Sequence, residues 1–306
     1  MGCERGCCMK KRKWKIAVII GSILLLISFG ILYGLPAYVM RGKRQTLEEA
    51  FAWQSDHYDT SFYEKLEKKD YTVTSEDGYT IHAELLVNPE PTAKYVILSH
   101  GHTDNRMGAL KYVPIYLRQG YNCIIYDLRG HGENEPYITT YGLLEGMDLN
   151  VLIKDTRKRY PELTKLGLHG ESLGAATTIT CLKYKPQVDF AVSDCAFADI
   201  ENVLRGIAKN AKIPSFMVDI ADIGARMRYG CSLKKMRPID SLAENTVPIL
   251  FIHGEDDTFI SPENTKRMAE ATKGEHRVVM IPCAGHAESV LTAPERYEAA
   301  VRSFLQ

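Results

Sequence analysis

No Cys-x-x-Cys spacing occurs in this 306-residue chain, which removes the usual sequence signature of zinc and dithiol redox sites. Of the eight cysteines, Cys3, Cys7 and Cys8 crowd the N-terminus, and the other five, Cys123, Cys181, Cys195, Cys231 and Cys283, are odd in number and scattered. Neither a metal site nor a disulfide framework is expected, and Cys123 and Cys283 fall in apolar strand-like runs where a thiol packs as a small hydrophobe. Internal repeats and low-complexity stretches are absent too. So is net charge, since 38 basic residues balance 38 acidic ones. The balance is uneven: residues 1–44 carry nine basic side chains and only Glu4 among the acids, leaving 29 basic against 37 acidic residues, a net of −8. A large domain with a surplus of acid lacks the basic face on which nucleic acids bind, so no nucleic-acid partner is expected.

One long apolar run is present. "IAVIIGSILLLISFGILYGLPAYVM", Ile16 to Met40, holds 25 residues without a charge, where about 20 suffice to cross hydrocarbon at roughly 1.5 Å per residue. It predicts a transmembrane anchor over 16–40, with 1–15 a basic cytoplasmic N-terminus, 41–69 a linker or stalk and 70–306 the main domain. Six basic residues precede the run and three follow it. Because Lys and Arg are retained in the cytoplasm, this places the N-terminus inside and the large domain outside. A cleaved signal peptide shares the basic start and apolar core, but the run exceeds a usual h-region and shows no clear Ala-x-Ala site. The opening "MGCERG" lacks the Ser or Thr needed for N-myristoylation, which leaves Cys3, Cys7 and Cys8 as free thiols or acylation sites.

Beyond residue 70, "YTVTS" and "YTIHAELLV", separated by "EDG", predict a β-hairpin. "YVILSH", "NCIIYD", "KLGLHG", "FAVSD", "PILFIHG" and "RVVMIP" follow as short apolar runs that end in polar or glycine-containing loops. Helix-like segments lie around 107–119, 142–160, 172–184, 261–272 and 294–305, and two more near "LEEAFAW" and "TSFYEKLEKK" in the linker. Strands apolar on both faces and alternating with helices specify an α/β protein: a mostly parallel, eight-stranded sheet covered on both sides, with an antiparallel hairpin at its start. The gap from Asp194 to Val247 exceeds one crossover and holds two predicted helices, about 197–210 and 215–229, within a small cap at about 195–240. The apolar Phe216, Met217, Ile220, Ile223 and Met227 either pack the second helix onto the sheet or form a lid that lines an acyl pocket.

Chemistry concentrates around "LGLHGESLGAATT", residues 166–178. Ser172 stands in Gly-Glu-Ser-Leu-Gly between a predicted strand and a predicted helix, the sharp turn that lifts a serine Oγ clear of a sheet. Gly170 and Gly174 suit that turn because a Cβ at either place would strike neighbouring backbone. A serine alcohol needs a base, and His286 in "IPCAGHAES" follows the last strand and precedes the C-terminal helix. His100, His169 and His253 each precede a glycine at a strand end and are expected to shape turns; His57, His82 and His276 are expected on the surface or in packing. The acid that fixes the imidazole tautomer is sought in "PILFIHGEDDTFISP", where Asp257 is favoured over Asp256, and Asp194, ending "FAVSD", is the remaining strand-end carboxylate. The backbone N–H groups of Leu173 and His102 are expected to face an oxyanion. In "YDLRGHGEN", Asp127, Arg129 and His131 are expected to bind one another or the main chain.

"LSHGHTDNR", "YDLRGHGEN", "HGESLG", "HGEDDTFISP" and "AGHAES", in that order, resemble the α/β-hydrolase superfamily over residues from about 70 to 306. Within it the chain is similar to bacterial membrane-anchored hydrolases of the monoacylglycerol-lipase-like and serine-aminopeptidase-like branch. The resemblance implies the α/β-hydrolase fold, a triad of Ser172, Asp257 and His286 in that chain order, and hydrolysis of a small-molecule or lipid ester through an acyl-enzyme. It implies no metal and no organic cofactor. Aminopeptidases, thioesterases and acyltransferases share the fold; the first would need a carboxylate for the substrate amine, for which the cap offers Asp219 and Asp222. A non-enzymatic scaffold would have no use for the three triad residue types and both oxyanion loops.

Overall fold

The computed structural model describes residues 3–41 and 44–306, with side chains from Trp14 onward except Leu24. The strands β1 (Lys68–Thr74), β2 (Thr80–Leu86), β3 (Lys94–Ser99), β4 (Asn122–Tyr126), β5 (Lys165–Glu171), β6 (Phe190–Asp194), β7 (Ile249–Gly254) and β8 (His276–Ile281) form one sheet in the order β1-β2-β4-β3-β5-β6-β7-β8. The pairs β1–β2 and β2–β4 are antiparallel and the rest parallel. The β1–β2 turn closes with the Gly78 N–H on the Ser75 carbonyl at 3.0 Å, and Gly78 takes a φ of +85°, which an L side chain rarely adopts. β4 and β7 are buried along their whole length, as the uninterrupted apolar runs require once helices cover both faces.

Three helices precede the sheet: α1 (Cys3–Met40), α2 (Leu47–His57) and α3 (Ser61–Lys65). α4 (Val113–Arg118), α5 (Leu143–Arg159), α6 (Leu173–Cys181), α7 (Ile200–Asn210), α8 (Phe216–Tyr229), α9 (Glu263–Ala271), α10 (Ser289–Thr292) and α11 (Pro294–Leu305) follow within it. Leu149 and Leu152 of α5, Ile179 of α6 and Met268 of α9 pack against Ile97, Leu168 and Phe251 on one face. Ile115 of α4, Tyr297 of α11 and Ala50 of α2 pack with Val96, Leu98 and Val192 on the other. α2 therefore belongs to the wall of the domain. The stretch "TSFYEKLEKK" is helical only over Ser61–Lys65, because Lys68 and Lys69 already pair with Leu86 and Leu85 in the sheet.

The apolar run at 16–40 is one continuous helix with the basic residues before it, and Trp14–Met40 is long and apolar enough to cross a membrane. Its last turns do not stand free. Met40 is fully buried in the core, its carbonyl accepts the Thr139 N–H at 2.8 Å, and the Tyr141 hydroxyl donates to the Val39 carbonyl.

Two expectations fail. Cys123 is buried, but Cys283 is exposed, because β8 ends at Ile281 and the chain turns there with φ +60° at Cys283. The Arg129 side chain binds neither Asp127 nor His131 nor, among the described residues, the main chain. Asp127 pairs with Arg106 at 2.6 Å, while Arg129 reaches Asp148 on α5 at 2.7 Å and Asp77 in the hairpin turn at 2.8 Å. Asp127 and His131 follow expectation: Asp127 accepts the main-chain N–H groups of Arg106 at 2.9 Å and Glu133 at 3.0 Å, and both His131 ring nitrogens lie on main-chain carbonyls.

The Arg129 side chain is wholly buried and Asp148 nearly so. Removing the cation leaves a buried carboxylate without its counter-charge, a change that costs about 3 to 5 kcal/mol. Arg129→Met should therefore lower the denaturant midpoint of the full chain in detergent by a corresponding amount, and an unchanged midpoint would refute the pairing.

Candidate active site

The carboxyl ends of β5, β7 and β8 form the rim where the candidate residues meet. Ser172 follows β5 directly, with φ +52° and ψ −111°, and α6 starts at the next residue. A Cβ on Gly170 would collide with the Gly174 carbonyl, and one on Gly174 with the Ser99 carbonyl at the end of β3. These two glycines let α6 begin against the sheet. The Ser172 N–H is held by the Asp194 carbonyl at 2.9 Å. Leu173, as the first residue of α6, has an N–H without an acceptor inside the helix.

His286, in the loop after β8, places Nε2 2.9 Å from Ser172 Oγ and Nδ1 2.7 Å from Asp257 Oδ2. Asp257 is buried and accepts four hydrogen bonds: the N–H groups of Phe259 (2.9 Å) and Ile260 (2.8 Å) reach Oδ1, and His286 Nδ1 and His253 Nε2 reach Oδ2. Burial pushes the Asp257 carboxyl up, but the donors from His253 and His286 outweigh it and hold the group well below the usual carboxylate range. An ionised Asp257 can only accept, so His286 carries its proton on Nδ1 and Nε2 is free to accept the Ser172 hydroxyl proton. Of the other two carboxylates considered, Asp256 is exposed, and Asp194 turns its Oδ2 to the Tyr112 hydroxyl at 3.1 Å. Burial raises Asp194 to about 6.

His253 does more than shape a turn. Its Nδ1 accepts the Thr265 hydroxyl at 2.7 Å, which commits Nε2–H to Asp257 and to the Ile260 carbonyl. The four-residue spacing from His253 to Asp257 was the only trace of this in the sequence.

The loop after β3 brings His102 to the same rim. The His131 ring donates from Nε2 to the His102 carbonyl at 2.6 Å, and the neutral His100 ring donates from Nδ1 to the Gly101 carbonyl at 2.7 Å. His100 Nε2 in turn accepts the Leu128 N–H at 2.9 Å, so two imidazoles fix the backbone of this loop. Burial, reinforced by His131, lowers the His102 imidazole to about 4.

Lys111, Glu171 and Tyr112 went unnoticed in the sequence. The Lys111 ammonium, with only 6% of its side chain exposed, pairs with Glu171, the residue before Ser172, and donates to the carbonyl of Ala287, the residue after His286, at 3.2 Å. Burial alone would lower the Lys111 ammonium, and the Glu171 carboxylate more than reverses that. The Tyr112 hydroxyl adds 2.5 Å to Glu171. Ala287 itself has φ +62°. One buried cation thus ties together the two loops that carry Ser172 and His286.

Ser172 and His286 open into a cavity of about 650 Å³ whose wall includes Trp53, His57, Asp104, Phe259 and Leu291. None of its residues comes from α7 or α8. α2 supplies that wall, with Trp53 stacked on His57 at 3.8 Å, and hydrogen-bonds to the His102 loop through Gln54 Nε2 and Asp104 Oδ2 at 3.1 Å. His57 is exposed and packed on Trp53, as expected, and also lines the cavity. α8 is not a lid over the pocket: it packs beside α1, where Gly224 lies against the Leu32 carbonyl and Pro36. Asp219 is tied to Arg205 and Lys234, Asp222 to Ser232 and Arg226, and neither lines the cavity.

The chain matches the family described as serine aminopeptidase, S33, over residues 90–237. It is 30% identical over 301 residues to the uncharacterized protein YqkD of Bacillus subtilis, spanning 95% of this chain and 97% of that one. It is 26% identical over 197 residues to human protein ABHD12B, spanning 60% of this chain and 51% of that protein. Among solved structures, the Pyrococcus furiosus esterase Pf2001 superposes with a TM-score of 0.68 at 24% identity, covering 87% of this chain and 97% of the esterase. With the eight-stranded sheet, the strand-to-helix turn at Ser172 and these likenesses together, the chain belongs to the α/β-hydrolase superfamily and is a hydrolase.

Proposed function

We propose that the protein cleaves carboxylic esters by a serine mechanism. The observation that carries this reading is the unbroken hydrogen-bonded chain from Asp257 through His286 to Ser172 at the mouth of the cavity. Ser172 Oγ attacks the ester carbonyl as His286 Nε2 takes its proton, and the tetrahedral oxyanion meets the N–H groups of Leu173 and His102. Asp257 keeps the imidazole in the accepting tautomer and stabilises the imidazolium. His286 then passes the proton to the departing alcohol, and a water molecule, deprotonated by the same nitrogen, releases the acid and restores Ser172. None of these steps calls on a metal or organic cofactor.

Two features favour an ester over a peptide N-terminus. Two of the three carboxylates at the cavity wall are already committed to side chains, Asp104 to Gln54 Nε2 and Glu171 to Lys111 and Tyr112, and the third, Glu288, accepts the Gly285 N–H at 3.1 Å. Trp53, Phe259 and Leu291 give the cavity an apolar side suited to an acyl chain or a lipid. The solved relative Pf2001 is an esterase. α1 anchors the enzyme, with its basic N-terminus in the cytoplasm and the hydrolase domain outside.

Ser172→Ala should reduce turnover of p-nitrophenyl esters by 10³-fold or more, on the order of what loss of a triad nucleophile costs, and should abolish labelling by a fluorophosphonate. Equal turnover by both proteins would dismiss the mechanism, and faster cleavage of aminoacyl arylamides than of esters would favour the peptidase. Trp53→Ala should lower kcat/KM for long-chain esters more than for acetate esters, because α2 forms the cavity wall; a uniform effect across chain length would place the acyl group elsewhere.

Lys111 is a positioning residue in this scheme. Lys111→Met should lower kcat on the order of 10²-fold, the cost of displacing reacting groups by about 1 Å, with KM changed much less and with part of the rate restored by Lys111→Arg. A matched fall in the amount of folded protein with unaltered kcat per labelled site would reduce Lys111 to a purely structural part.

A further inference from the structure

We infer that α8 is a second membrane contact, lying on the bilayer surface beside α1. The inference rests on the reading of α1 as a membrane anchor and goes beyond it. About 20 residues are needed to span roughly 30 Å of hydrocarbon. Counted from Ile16, that length ends at Leu35. The apolar stretch without protein around it is shorter. The side chains of Leu32, Tyr33, Leu35 and Pro36 are already partly or fully buried, with Gly224 of α8 against Leu32 and Pro36 and Arg228 Nη1 on the Tyr33 carbonyl at 2.6 Å. The 16 residues from Ile16 to Ile31 reach only about 24 Å at 1.5 Å per residue. A bilayer that covers the anchor must therefore extend to the level at which α8 crosses it.

The surface of α8 fits that position. Phe216, Ile220, Ile223 and Met227 recur at helical spacing along one stripe next to the Gly224 contact. Phe216 is 58% exposed, Ile223 44% and Met227 60%, and Ile213 just before the helix is 47% exposed. Lys209, Lys212, Arg226 and Arg228 are exposed around them. An apolar stripe edged with basic residues is how a helix rests at a lipid interface, its apolar face among the acyl chains and its cations among anionic headgroups. The occupant of the stripe is the same bilayer that α1 crosses, because the stripe is continuous with the anchor. α8, whose apolar residues were expected either to pack onto the sheet or to form a lid, thus sets the domain on the membrane.

Site-specific photocrosslinking of the full chain in phosphatidylcholine–phosphatidylglycerol nanodiscs tests this. p-Benzoylphenylalanine is placed at Phe216 or Met227, at Leu25 within the anchor as the bilayer control, and at Tyr184, an exposed aromatic that follows α6 at the opposite end of the sheet. Lipid adducts are expected at Leu25, Phe216 and Met227, with yields at Tyr184 at least tenfold lower. Adducts at Leu25 without adducts at Phe216 and Met227 would overturn the α8 contact and leave the anchor standing. Absence at Leu25 would remove the anchor and this inference with it. Crosslinks from Phe216 or Met227 to a second copy of the chain in place of lipid, or yields at Tyr184 equal to theirs, would overturn it as well.

Discussion

The site depends on how closely the backbone of α6 approaches the ends of β3 and β5. Gly170 and Gly174 permit that approach, and the result is a serine held in a conformation that side chains avoid. Ser172 is not alone. Cys195 after β6 (φ +47°), and Cys283 (φ +60°) and Ala287 (φ +62°) after β8, are non-glycine residues of positive φ on the same rim. Each such residue costs about 1 to 3 kcal/mol and persists only where its surroundings over-determine it. Here the surroundings are the buried parallel strands below and the charged network above. Lys111 binds next to two of the strained positions, so electrostatic and conformational constraint act at the same atoms.

The rim also gathers carboxylates that a protein interior would normally reject, and each is accommodated differently. Asp257 has four donors, stays ionised and carries a depressed pKa. A depressed carboxyl stabilises the fold above its unfolded pKa, and the contribution is lost only as pH falls through the folded value, below the ordinary carboxylate range. Asp104 and Asp194, both raised to about 6 mainly by burial, act in the opposite sense. They bind protons more readily in the folded state, so their effect favours the fold below the unfolded pKa and diminishes as pH rises through about 6. The rim therefore becomes more highly charged, and more dependent on Lys111, over the range in which an imidazole base is useful.

The strands themselves, the turn at Ser172 and the three groups His286, Asp257 and Ser172 were legible in the sequence because each is encoded locally: an apolar run, a glycine pattern, a histidine after the last strand. What the sequence hid are contacts between segments far apart in the chain. Glu171 lies inside the serine motif, yet its partner Lys111 is 60 residues away on another element. His253 reads as a turn residue until β7 and the Asp257 loop fold back on each other. The apolar face of α8 was correctly recognised as apolar, but composition cannot say which surface a face meets: Phe216, Ile223 and Met227 stay exposed while Gly224 beside them packs on α1.

The same ambiguity explains the linker. A charged segment between an apolar helix and a domain reads as a spacer, yet Thr46 caps α2 with a reciprocal capping box, and Asn105, in the loop after β3, donates to the Gln45 and Thr46 carbonyls at 3.2 and 3.0 Å. Gln45 and Trp53 then line the cavity, while Met40, five residues earlier in the chain, is buried in the core. Anchor, linker and site are consecutive parts of one packed structure. Any displacement of α1 relative to the sheet must therefore pass through α2 to the loop that presents the His102 amide.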